Sequence, residues 1–255
     1  ISRLQLELLC HDNVGTFITL TYADAPSHLV KKDVQDFLKR FRNIPRDFRV
    51  SIPANFKYFF CGEYGSRFKR PHYHGLLFGV DCFSDAYKTD IVTFKNNYPI
   101  YSSSLLADRW RKGFITVDKI SHANIKYVSK YILKKYQSGG DEFTLKSIGL
   151  GADFFFRFPD KRTNPLPSSF FPDYALGTLH TFSQSGKPVP LAIPYKAFDR
   201  YCDIVNPSLC EVLKARRKYF VTNHKPTYVD LCRHRQWLAV TTAINPTERI
   251  LDYDS

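Results

Sequence analysis

FKYFFCGEYGSRFKRPHYHGLLFGV, residues 56–80, decides the fold. FKYFFCG (56–62) is aromatic-rich and reads as a strand, HYHGLLFGV (72–80) as the strand that returns, and EYGSRFKRP (63–71) as the charged turn between them. A connection this short makes the two strands an antiparallel hairpin. Side chains at i and i+2 of a strand share a face, so His72 and His74 point the same way and Tyr73 points the other. Two imidazoles side by side are open to three readings: a metal site, a catalytic pair, or surface chemistry without a ligand. For the first of these, Glu63 closes the preceding strand and can lie near His72 across the turn. A His/His/carboxylate set suits Mg²⁺, Mn²⁺ or another hard divalent cation.

Working outward, GTFITLTY (15–22) reads as a strand and KKDVQDFLKRFR (31–42) as an amphipathic helix with Val34, Leu38 and Phe41 on one stripe. SRLQLELLCH has helical spacing, and SSLLADRWRK (103–112) reads as a helix followed by the strand GFITVDKI (113–120). SHANIKYVSKYILKK (121–135) is a helix with Ser121 as N-cap and a basic last turn. The expected class is α+β: a central antiparallel sheet with helices on one face. After SGG (138–140) the pattern weakens. Residues 160–195 read mostly as loops with short strands, 207–220 as a basic helix, and the tail from 221 has no clear pattern. The expected domains are a core over 1–137 and an extension over 138–255.

Composition narrows the function classes. There are 22 Phe and 16 Tyr, which argues for a packed core and against a disordered chain. Against 24 Asp and Glu stand 37 Lys and Arg, a net charge of +13 that favours an anionic partner such as nucleic acid. Cys10, Cys61, Cys82, Cys202, Cys210 and Cys232 form no CxxC pair, so neither a zinc cluster nor a disulfide framework is indicated and a reducing compartment fits. No apolar run reaches membrane-spanning length, so no membrane partner is expected. The chain starts at Ile1 and has no Met, so a missing N-terminal segment is expected.

In YVSKYILKK (127–135), Tyr127 and Tyr131 are four apart and share a helical face, with Lys130 and Lys134 on an adjoining stripe. An aromatic core stripe is the plain alternative, but Val128, Ile132 and Leu133 already supply an apolar side. Phenols beside a metal-held phosphate and lysine charge are competent for phosphoryl transfer on DNA.

These segments resemble the replication initiation proteins of microviruses, in particular the gokushovirus branch, within the rolling-circle endonucleases that carry a His-hydrophobic-His strand. FITLTYAD (17–24) is similar to their first motif, CGEYGSRFKRPHYHGLLFG (61–79) to their metal motif, and RWRKGFITVDKI with YVSKYILKK to the tyrosine-bearing segment. EFTLKSIGLGADF (142–154) and GKPVPLAIPYKAFDRY (186–201) resemble further segments of this branch. The resemblance implies a ferredoxin-like or RRM-like core with a C-terminal extension. It implies His72 and His74 as metal ligands with Glu63 as third, Tyr127 and Tyr131 as paired nucleophiles, and Lys130 as the residue that positions or neutralises the scissile phosphate. It further implies Mg²⁺ or Mn²⁺ as cofactor, and single-stranded or locally melted origin DNA as substrate. A host helicase and DNA polymerase are the implied partners, in the bacterial host cytoplasm. Two other readings remain open: a plasmid relaxase or transposase with the same site, and a DNA-binding module without catalysis.

Overall fold

A computed structural model describes residues 1–44, 56–65, 68–138, 141–157, 178–182, 188–192 and 195–223. Two compact units divide the chain, one holding Ile1–Arg157 and the other Phe158–Asp252. The first unit runs α1 (Ser2–Cys10), β1 (Gly15–Thr21), α2 (Lys31–Arg42), β2 (Lys57–Tyr64), β3 (Pro71–Phe78) and a 3₁₀ turn at Asp85–Tyr87. It continues with β4 (Thr89–Lys95), β5 (Tyr98–Ser103), α3 (Ser104–Trp110), β6 (Ile115–Lys119), α4 (His122–Ser138), β7 (Thr144–Lys146) and α5 (Phe154–Arg157). In the second unit β8 (Thr178–Phe182) pairs with β9 (Pro188–Ala192), and α6 (Tyr195–Val205) precedes α7 (Pro207–Asn223). Lys214 of α7 bonds Asp203 of α6 at 2.8 Å. The unpatterned tail beyond 223, most of the loop-like stretch 160–195 and Cys232 lie outside the described residues.

The fold is α+β, as read. Seven strands form one sheet in the order β4-β5-β6-β1-β3-β2-β7, and every described pair is antiparallel. β3 sits between β1 and β2 and is buried at every position. A strand without polar alternation has both faces covered, and that is the case here. On one face Ile18, Leu20, Phe60, Tyr73 and Leu77 pack against Val34, Phe37, Leu38 and Phe41 of α2 and Leu106 and Trp110 of α3. On the other, Phe17, Phe59, Cys61, Leu76 and Phe78 pack against Leu4 and Leu8 of α1 and Ile125, Tyr127 and Val128 of α4. The helices expected on one face therefore stand on both. Gly75 makes the first face possible: a Cβ there would lie 2.3 Å from the Phe60 ring.

Local chemistry sets the helix ends. Ser121 caps α4 reciprocally: its Oγ accepts from the Asn124 amide at 3.2 Å, and Asn124 Oδ1 accepts from the Ser121 amide at 2.8 Å. α2 has Asp33 in its first turn and Lys39, Arg40 and Arg42 in its last, charges that suit the helix dipole. Trp110, fully buried at the end of α3, donates its Nε1–H to the Thr21 carbonyl at 2.7 Å and pins the end of β1. β4 and β5 form a hairpin absent from the sequence reading, turning at Asn96 and Asn97, whose φ angles are 48° and 67°. β7, α5 and α6 are absent from it too. Among the described residues no helix is long and apolar enough to cross a membrane.

Candidate metal centre and its tyrosine helix

The β2–β3 register puts Glu63 directly opposite His72 and Cys61 opposite His74. Strand alternation then sends Glu63, His72 and His74 to the face covered by α4. All three are buried, His74 completely. Glu63 Oε1 accepts from His72 Nε2 at 2.9 Å and from His74 Nε2 at 2.7 Å. One ligand atom from each residue lies within 4.8 Å of the others, so this group can hold a metal ion.

The outer ring nitrogens are also engaged. His72 Nδ1 donates to the Arg70 carbonyl at 3.2 Å, and His74 Nδ1 lies 3.0 Å from Thr19 Oγ1. A carbonyl only accepts, so His72 carries its proton on Nδ1. With a carboxylate at Nε2 as well, His72 faces an acceptor at each nitrogen. Such a ring is satisfied by two protons, or by one proton and a cation on Nε2. The second case is the arrangement by which a hydrogen bond on one nitrogen aims the other at a metal. Thr19 hydroxyl can give or take a proton and serves His74 either way. The donor set therefore fits a divalent cation.

α4 lays its aromatic stripe over this cluster. The Tyr127 hydroxyl donates to Glu63 Oε1 at 3.1 Å and lies 3.3 Å from His74 Nε2. The Tyr127 and Tyr131 rings are 5.1 Å apart, and Tyr131 stacks on His74 at 6.2 Å while Phe17 stacks on it at 5.6 Å. Tyr127 is buried and Tyr131 half-buried, whereas Lys130 points to solvent on the outer side of the helix. The structure thus brings together Glu63, His72, His74, Tyr127 and Tyr131, with Lys130 beside them but outside the cluster. The side chain of Lys134 lies outside what the structure describes.

Electrostatics follow from the packing. Burial would raise the Glu63 pKa, but the hydrogen bonds from His72 and His74 outweigh it and hold the carboxyl at about 2. Tyr127 is pushed strongly upward by burial, then by the negative charge of Glu63 and the neighbouring Tyr131 hydroxyl. Without added positive charge this phenol stays protonated.

Two residues of the site escaped the sequence reading. Thr19 pairs across the strands with His74, and Phe17 stacks on it; both lie on the same face of β1. The signal was the alternation in FITLT, where a polar Thr sits on a face that otherwise packs apolar residues.

A family model of replication-associated proteins of the ORF2 type matches residues 15–136, from β1 into α4. The chain is 32% identical over 143 residues to the replication-associated protein VP4 of Bdellovibrio phage phiMH2K, an alignment covering 51% of this chain and 41% of that protein. It is 28% identical over 140 residues to the replication-associated protein ORF2 of Spiroplasma virus 4, covering 52% of this chain and 42% of that one. A third relative, the replication-associated protein ORF4 of Chlamydia phage 1, is 31% identical over 121 residues, covering 40% of this chain and 28% of that protein. The chain thus spans less than half the length of these curated relatives. No solved structure matches it. The comparisons bear out the resemblance to microvirus replication initiation proteins read from the sequence.

Proposed function

We propose that this chain is a replication initiation endonuclease that nicks origin DNA by tyrosine attack and later rejoins the strand. The observation that carries the reading is a phenol hydroxyl 3.1 Å from the carboxylate of a buried His/His/Glu cluster, in a segment similar to phage replication-associated proteins. Glu63, His72 and His74 hold the divalent cation, Mg²⁺ or Mn²⁺. When bound, that cation supplies positive charge that polarises the scissile phosphate and offsets Glu63.

The rest is the work of the chain's own side chains. Thr19 and the Arg70 carbonyl fix the two imidazoles. α4 presents Tyr127 and Tyr131 to the phosphate, and Lys130, on the solvent side, draws the strand in and neutralises phosphate charge. One phenol gives up its proton and its oxygen bonds to phosphorus. The P–O3′ bond breaks, and the 3′ oxygen leaves and takes up a proton. The products are a 5′-phosphotyrosine and a free 3′-hydroxyl. Rejoining is the same exchange reversed, with the 3′-hydroxyl attacking the phosphotyrosine, so no nucleotide triphosphate is consumed. With two phenols, the second can cut a regenerated origin while the first still holds the original end.

The substrate in this reading is single-stranded or locally melted origin DNA, because a base-paired backbone does not reach a site buried between sheet and helix. A host helicase supplies the unwound strand and a host DNA polymerase extends the 3′-hydroxyl, which sets the reaction in the bacterial host cytoplasm. The architecture proposed is a nuclease core at 1–137 with a family-specific extension at 138–255.

The test is incubation with single-stranded origin DNA in Mg²⁺ or Mn²⁺, a denaturing gel for covalent adduct, and mass mapping of the linked residue. His72→Ala and His74→Ala should lose the adduct and keep most DNA binding, which rests on dispersed positive charge. An adduct of normal yield in His74→Ala, or one mapping outside α4, would overturn the reading.

A further inference from the structure

Phe114 stands at a position that the proposed chemistry does not use. The β1–β6 register pairs Leu20 with Ile115 and Thr19 with Thr116. The ladder continues one step further, with the Thr21 amide donating to the Phe114 carbonyl at 3.0 Å. Ile115 and Val117 point into the core beneath α2 and α3. Alternation therefore sends Phe114 to the opposite face, the one that carries His72 and His74. Thr21 in turn is opposite His72. Phe114, Thr21, His72 and Glu63 thus form one row across four adjacent strands. With strands about 4.8 Å apart, the Phe114 backbone lies about 10 Å from that of His72.

Its side chain is 70% exposed. A lone exposed Phe is ordinary on a protein surface. What sets this one apart is the number of bonds that hold its backbone. Trp110 bonds the Thr21 carbonyl, the Ala23 amide bonds the Lys112 carbonyl at 2.9 Å, and Thr21 Oγ1 bonds the Phe114 carbonyl at 3.2 Å. Gly113 lets the two chains meet, since a Cβ there would lie 2.3 Å from the Ala23 nitrogen. The ring is carried on backbone fixed from both sides. Around it the exposed charges are mixed but favour an anion: Arg111 and Lys112 flank it in sequence and Lys69 lies in the β2–β3 turn beyond His72, while Lys112 is paired with Asp33 at 3.2 Å.

We propose that Phe114 is a base-stacking platform that positions the single strand at the site, receiving a nucleobase next to the phosphate held by the His/His/Glu cluster. The proposal rests on the nicking reading for the identity of that phosphate. An exposed, rigid aromatic face beside basic residues is the chemistry that binds single-stranded nucleic acid without regard to sequence, because every base offers a π-face. Phe114 touches no reacting atom and acts through the DNA, as a positioning residue.

The probes are oligothymidylate and an oligomer of equal length made of abasic deoxyribose phosphate, both bound by the full chain in EDTA. Phe114→Ala should weaken oligothymidylate binding roughly five- to a hundredfold and leave binding of the abasic oligomer unchanged. Phe114→Trp should keep the affinity, and its added indole fluorescence should be quenched by oligothymidylate and not by the abasic strand. Equal affinity of Phe114→Ala and the unaltered protein for oligothymidylate would overturn the proposal, as would equal losses for the two probes. Because no cleavage is read, the outcome separates from that of the nicking test. A protein that stacks bases through Phe114 yet forms no adduct refutes the endonuclease alone, and one that forms adduct with base-indifferent binding refutes the platform alone.

Discussion

Replacing Glu63 by Gln keeps the shape of the side chain and removes its charge. In the metal-free protein its Oε1 accepts from His72, His74 and Tyr127. The drop of its pKa from an ordinary 4.5 to about 2 corresponds to about 3 kcal/mol of stability at neutral pH. Because the folded pKa is the lower one, this contribution is complete above pH 4.5 and is lost as pH falls through about 2. Glu63→Gln should therefore unfold more easily than the unaltered protein by roughly 3 kcal/mol at pH 7 in EDTA, and the gap should narrow in acid. Denaturant titration followed by circular dichroism measures this. Adding Mn²⁺ at about a hundred times its dissociation constant should stabilise the unaltered protein by about 3 kcal/mol more and leave Glu63→Gln where it was. A variant as stable as the parent in EDTA would refute the claim that the histidines hold the carboxylate charged. Equal stabilisation of both proteins by Mn²⁺ would place the ion elsewhere.

Tyr127→Phe and Tyr131→Phe should each retain single-turnover adduct, in unequal amounts, and each should fail to close a circle; the double variant should give no adduct on a denaturing gel. If the tyrosines were only core packing, all three would be silent. Thr19→Val should lower Mn²⁺ affinity roughly 10- to 100-fold in calorimetry with little change in stability; unchanged affinity would remove Thr19 from the support of His74. Oligothymidylate affinity should fall with salt on a log–log slope of about −0.7 per phosphate neutralised; a flat line would count against the +13 charge as the source of binding.

The centre of this fold was legible because two periods coincide on it. A period of two joined His72 to His74, a short turn brought Glu63 opposite, and a period of four joined Tyr127 to Tyr131. The Ser121 cap was readable because its partner is three residues away. What escaped depended on contacts distant in sequence or on exposure. β4 and β5 were missed because Ile91, Val92, Phe94 and Tyr98 are all exposed, so the hairpin has no buried face to impose alternation; its one local signal was Asn96-Asn97, a pair that tolerates the positive φ of a tight turn. β7 is three residues long and exists only by pairing with β2. Helices on both faces were foreshadowed in β3, where LLF leaves no polar side, but a hairpin with two histidines on one face suggested a sheet covered only on the other. Thr19 acquired its role from the register of β1 on β3, which no local pattern encodes.

The four-residue spacing on α4 has a further consequence for such a nickase. Four residues advance a helix by about 6 Å and rotate it by little more than one turn, so Tyr127 and Tyr131 differ in height over the cluster far more than in direction. The sheet beneath them is a fixed floor, with His74 clamped between Phe17 and Tyr131. Handing a strand end from one phenol to the other then needs only a slide along the helix axis of about one turn. The bound end and the incoming strand would share one floor and one ion, and the covalent hold on the DNA would never have to be released into solvent between cuts.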